Sequence, residues 1–150
     1  MQEIFHTSIS NNTLVRDEIM HVLFALVSVF VVWKKTKSRK LALTTVLVAI
    51  LVDVDHLVDY FSFYGFKFNL ANFLEGKYFK VTQKAYVPFH AWEWVILLGI
   101  IAKNRGWKSY FTAIALGLFA HLVYDSISQS SFLFYSIGYR ALISGYGFLW

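Results

Sequence analysis

Long apolar runs alternate with short basic loops along this chain, and most of its histidines and many of its acids crowd the ends of those runs. The first run extends from about Ile19 to Trp33, behind Asp17 and Glu18, carboxylates of the kind a helix accepts in its first turn, and it closes on the basic loop Lys34 to Lys40. The second begins at Leu41 and passes into Leu51-Val52-Asp53-Val54-Asp55-His56-Leu57-Val58-Asp59-Tyr60. Phe61 to Ala85 forms an aromatic, lysine-bearing connection with Gly65 and Gly76 as breaks and a short interfacial helix expected over Asn69 to Lys77. Pro88 suits the first turn of a third helix from about Val87 to Ala102, and a second basic turn, Lys103 to Lys108, leads to a fourth from about Tyr110 to Ser128. Ser131 to Trp150 is apolar and aromatic but broken by glycines, and reads as an interfacial or re-entrant C-terminal helix.

This pattern predicts an all-α integral membrane bundle, one domain over residues 1–150, with at least four transmembrane helices. Composition agrees: 57% hydrophobic residues and a mean hydropathy of +0.52 lie above the range of soluble domains. The polar start offers no apolar signal core, so the first span is expected to insert itself. The net charge of +5 sits in short loops between apolar runs, the placement of cytoplasmic loops and not of a nucleic-acid face. With no cysteine, disulfides, thiolate ligands and a cysteine nucleophile are excluded, and a metal would be held by nitrogen and oxygen. No GxSxG elbow or phosphate-cradling glycine loop is present.

The candidate chemistry lies in the ionisable groups inside the apolar runs, each of which costs about 2.5–3.5 kcal/mol at membrane depth unless it has a partner, water or a metal ion. With both basic loops on the cytoplasmic side, His21, the acids of 53–59, His90 with Glu93, and His121 with Asp125 all fall in the outer half of the bundle. Helical spacing places Asp55, His56 and Asp59 within an arc of about 100°, with Asp53 about 60° beyond His56. His90 and Glu93 at i, i+3, and His121 and Asp125 at i, i+4, each share a stripe. Any one of these groups is also what a helix end meeting water looks like; their convergence is what predicts a single metal site. His6, in the polar lead-in, has no expected role.

At these residues the chain resembles the YdjM-like family of small prokaryotic membrane proteins, regarded as membrane-bound metal-dependent hydrolases and related in pattern to zinc-dependent phospholipase C. The resemblance covers Met20 to about Asp125 and is carried by His21, by Asp53-Val54-Asp55-His56 in place of Asp-x-Asp-His, by His90, and by His121-Leu122-Val123-Tyr124-Asp125 in place of His-Leu-x-x-Asp. The family's His-Arg element and Thr-His-Ser run are replaced by Pro88-Phe89-His90-Ala91-Trp92-Glu93. The resemblance implies a multi-pass protein of the prokaryotic inner membrane and a hydrolytic reaction.

The expected centre holds one or two divalent ions, zinc or manganese. Asp55, His56, His90, His121 and Asp125 are expected as ligands with His21 and Asp59 beside them, Glu93 as general base and Asp53 as a second catalytic carboxylate. A metal-activated water would attack a lipid-linked phosphoester at the extracytoplasmic face. The 61–85 connection would act as a lid among membrane lipids, with Lys67, Lys77, Lys80 or Lys84 neutralising phosphate. Two alternatives use the same ligands: a divalent-cation binding or transport protein, and a non-catalytic scaffold clamped by its ion.

Overall fold

The computed structural model describes the backbone of residues 11–144 and the side chains of residues 18–143, Lys80 excepted; the expectations for His6, Lys80 and residues 145–150 lie outside the described residues. Among the described residues the chain is helical and contains no strand. Helix α1 spans Asn11–Thr36 and ends on Lys34 and Lys35, cations at the negative end of the helix dipole. Ser38 then caps α2, Arg39–Leu51, by accepting the amide of Leu41. At Val52 the winding tightens to a 3-10 turn, Val52–Asp55, and relaxes again into α3, His56–Tyr64.

Three stretches are long and apolar enough to cross a membrane: Glu18–Thr36, the continuous Arg39–Tyr64, and Tyr110–Ser128, the last being α7. They mark the chain as membrane-associated. Helices α1, α2 and α7 pack on one another around Ala25, Ala49 and Ala120, small residues that allow the close backbone approach on which helix association in lipid depends. The outer side of α1 leaves Leu23, Val27, Phe30 and Val31 exposed, as lipid contact requires.

The α2–α7 contact is closest at Gly117. A Cβ there would stand 2.5 Å from the Thr45 carbonyl oxygen, so only glycine lets the two backbones meet at this level.

The 61–85 connection packs against α3 at the end of the bundle where that helix finishes, and forms α4, Leu70–Glu75, and α5, Lys77–Thr82. Asn69 caps α4 by accepting from Asn72, and Gly76 separates the two helices in the left-handed conformation, as the sequence suggests. Tyr60 anchors the connection: its hydroxyl accepts from the Asn69 amide at 2.9 Å, and its ring packs against Phe68, Phe73 and Tyr78.

The third helix differs from expectation. Helix α6 is Trp92–Arg105, 14 residues or about 21 Å, and it packs against α7. It starts at Trp92 and not near Val87 because the preceding amides are claimed elsewhere: Asp59 accepts from Tyr86 and Val87, and Asp55 accepts from Phe89. Residues 86–91 therefore run as an irregular strap, with Val87 at φ +28°, a conformation that strains a β-branched residue. Arg140, fully buried, clamps the strap from the other side, donating to the carbonyls of Tyr86, Val87 and His90.

Beyond α7 the chain forms a 3-10 turn, Leu133–Tyr135, the short α8, Ile137–Tyr139, and a π turn, Arg140–Ser144. Ser136 caps a helical stretch that passes from α to π geometry at Arg140, so among the described residues the C-terminal segment is helical from Ile137 on and not from Ser131.

Candidate metal centre

The 3-10 turn decides which acids meet the histidines. Three residues per turn eclipse positions i and i+3, so Asp53 comes onto the line of His56, with Oδ1 3.2 Å from His56 Nε2. An unbroken α-helix would hold Asp53 about 60° from His56, at the margin of that face. Asp55 and Asp59 turn instead toward the 86–91 strap and hold its amides, so neither takes the ligand place expected of it. Asp55 retains a role at one remove: its two oxygens lie 3.0 and 3.1 Å from His90 Nδ1.

Four elements deliver the remaining groups: His21 from α1, Asp53 and His56 from the turn and α3, His90 from the strap, and His121 and Asp125 from α7. His90 Nε2 lies 3.0 Å from His121 Nε2 and 3.0 Å from Asp53 Oδ1. His121 Nε2 lies 3.4 Å from Asp53 Oδ1 and 3.1 Å from Asp125 Oδ2, and His90 Nε2 is 3.6 Å from the same Asp125 oxygen. A tetrahedral ion with ligands at about 2.0–2.2 Å sets neighbouring donor atoms about 3.4 Å apart. The separations given, 3.0 to 3.6 Å, bracket that spacing.

The tautomers sharpen the point. His121 Nδ1 donates to the Ala49 carbonyl at 2.7 Å, and His90 Nδ1 donates to Asp55. In the neutral rings both Nε2 atoms then carry lone pairs, and these face each other at 3.0 Å beside two carboxylate oxygens. Four acceptors converging on one point call for a cation among them, and one proton satisfies only two. The outer partners, a backbone carbonyl and a carboxylate, are those that orient metal-binding imidazoles.

Burial by itself pushes the His90 imidazolium down, but the hydrogen bonds to Asp53 and Asp55 outweigh it and raise the pKa to about 8. Without a metal, a proton on Nε2 shared with Asp53 takes the place of the ion at this ring, and an ion binding to the lone pair displaces it.

His21 and His56 flank the four. His21 Nε2 is 2.8 Å from Asp125 Oδ1, and its ring stacks on His121 with centroids 3.9 Å apart. The His56 side chain is 27% exposed against 2% for His90, and it borders a cavity of about 860 Å³. Its polar lining includes Glu18, His21, Asp53 and His56, and its apolar wall is formed by Ile50, Leu57, Phe68, Leu70, Phe73 and Leu74. No lysine or arginine is among its described lining residues. Lys77, a sequence candidate for phosphate, pairs with Glu75 at 2.8 Å.

Glu93 is not brought to the centre. Its Oε1 accepts from Ser136 Oγ at 2.6 Å and from the Gly138 amide at 3.2 Å, because it faces the C-terminal turns from the start of α6. Two residues that sequence reasoning passed over matter here. Arg140 had a signal in being the lone charge of its segment, and Glu18 stands three residues before His21, on the same face of α1. Glu18 lines the same cavity as His21 and Asp53.

Protein-family models, curated proteins and solved structures, compared with the chain in turn, each give no match.

Proposed function

We propose that the protein is a metal-dependent hydrolase of phosphoesters borne on lipids. The observation that carries this reading is the convergence of the two imidazole lone pairs of His90 and His121 with Asp53 and Asp125. A divalent ion such as zinc or manganese would be held by those four groups, and with water or a phosphoryl oxygen in a fifth or sixth position it would supply Lewis-acid polarisation and a water whose pKa is lowered to about 7. The YdjM-like residue pattern supports the same class of reaction.

The chain's own groups divide the remaining work. His56, on the cavity side and 3.2 Å from Asp53, takes the proton from the attacking water, the part that Glu93 is too engaged elsewhere to play. Water adds to phosphorus, the ester oxygen leaves with a proton, and a phosphate product and an alcohol result. The apolar wall receives the hydrocarbon part of the substrate. With no cationic side chain described along the cavity, phosphate charge is met by the metal centre and not by the lysines of the connection.

In this reading α6, extended by the strap, completes a fourth crossing of the inner membrane of a prokaryote, and α8 with its neighbours lies at the interface. The two basic loops face the cytoplasm, while the termini, the connection and the centre face outward. Transport is disfavoured because the inner halves of the long helices carry no acid or histidine to continue a path. The test is chelator-sensitive release of phosphate-bearing headgroups from mixed lipid vesicles by the purified protein, lost in Asp53→Asn. A protein that binds no divalent ion overturns the reading.

A further inference from the structure

We propose that the centre is binuclear, with a second divalent cation held by Glu18 and His21 of α1 and bridged to the first by Asp125 and Asp53. The inference rests on the metal-hydrolase reading and concerns residues that the four-atom cluster leaves unused.

Asp125 divides its oxygens between two places. Oδ2 belongs to the tetrahedral set, 3.1 Å from His121 Nε2, while Oδ1 turns away to His21 Nε2 at 2.8 Å. A carboxylate with one oxygen on each side is the bridge that places two ions about 3.5–4 Å apart. Asp53 is the second bridge. It presents Oδ1 to His56, His90 and His121, and it lines the cavity together with Glu18 of α1.

Independent of the acids is the placement of His21, which is 6% exposed, stacked on His121 and edge-on to Tyr124, with Nε2 aimed into the cluster. His21, Asp53 and His121 have donor atoms within 4.8 Å of one another. Glu18 and His21, at i and i+3, form the Glu-x-x-His pair that carboxylate-bridged bimetallic centres take from a helix. The second position is the looser one, because His21 Nδ1 has no hydrogen-bond partner to fix its tautomer, whereas both imidazoles of the first position are fixed. It therefore fills after the first and at higher metal concentration.

The experiment is manganese titration of the full chain in detergent, read by metal content and by electron paramagnetic resonance. The expected result is two ions per chain, the first giving an isolated six-line signal and the second converting it to an exchange-coupled one. Glu18→Gln, a change at an exposed side chain that leaves packing intact, should retain one ion and keep the uncoupled signal at manganese concentrations that saturate the wild type. One ion in the wild type, or two coupled ions in Glu18→Gln, overturns the second position and leaves the hydrolase reading standing. No ion at all overturns both.

Discussion

His121 of α7 donates its Nδ1 proton to the main-chain carbonyl of Ala49 on α2, so the nitrogen that faces the centre is aimed by the backbone of a neighbouring helix. That bond exists because α2 and α7 approach closely one turn below, where Gly117 lies against Thr45. Packing within the apolar part of the bundle and the geometry of the centre are therefore one construction.

Gly117→Ala should show the connection. The added Cβ meets a backbone oxygen that has little freedom to move, so the helices must part, at a cost of about 1–3 kcal/mol. Thermal unfolding in detergent should fall, and metal affinity should fall with it. A stability loss with unchanged affinity would mean that His121 does not depend on the contact.

Asp55→Asn tests the role assigned to a carboxylate that touches no ion. It keeps the shape of the side chain but weakens the acceptor that orients His90 and holds the Phe89 amide. Metal affinity should drop by about 10–100-fold with the fold retained, the usual effect of losing such a partner. Competition with a chromogenic chelator measures it.

His90 sets a pH dependence. With its pKa raised to about 8 in the metal-free protein, a metal must displace a proton from this ring at any lower pH. Apparent affinity should therefore weaken by up to about tenfold per pH unit as pH falls below 8, and level off above it as far as this ring is concerned. Isothermal titration between pH 6 and 9 in buffers of different ionisation enthalpy should also detect the released proton. A flat profile would contradict the assignment of His90 as ligand.

The division of labour between His56 and Glu93 is open to a paired substitution. His56→Gln should retain metal and lose about 10²–10⁴-fold in turnover, the range for a general base. Glu93→Gln should leave turnover within a few-fold, because its contacts are with Ser136 and Gly138. Steady-state assays with metal content measured on the same samples separate the two, and the reverse ranking would restore Glu93 as the base.

The sequence made the helices and the identity of most groups at the centre legible, because apolar runs, basic loops and i, i+4 spacing are local properties. His121 and Asp125 meet as their spacing on α7 requires. What was hidden depended on winding. Projected on a uniform α-helix, Asp55, His56 and Asp59 form one face and Asp53 stands at its margin. The 3-10 turn at Val52–Asp55 instead brings Asp53 to the histidines and sends Asp55 and Asp59 to the strap. Nothing in the residue pattern near Val52 marks that change. The onset of α6 was misplaced for a linked reason, since it depends on carboxylates 27 to 34 positions away that claim the strap's amides.

The ion pair between His21 and Asp125 joins residues 104 positions apart, and it spans nearly all of the described chain. While the protein is being made, the growing polypeptide presents His21, then Asp53 and His56, then His90, as isolated groups unable to compete for scarce metal. The centre closes only when the last long helix has entered the bilayer beside the first. A metal held by these groups would therefore load only onto a chain in which the first and the last of these long helices have come together.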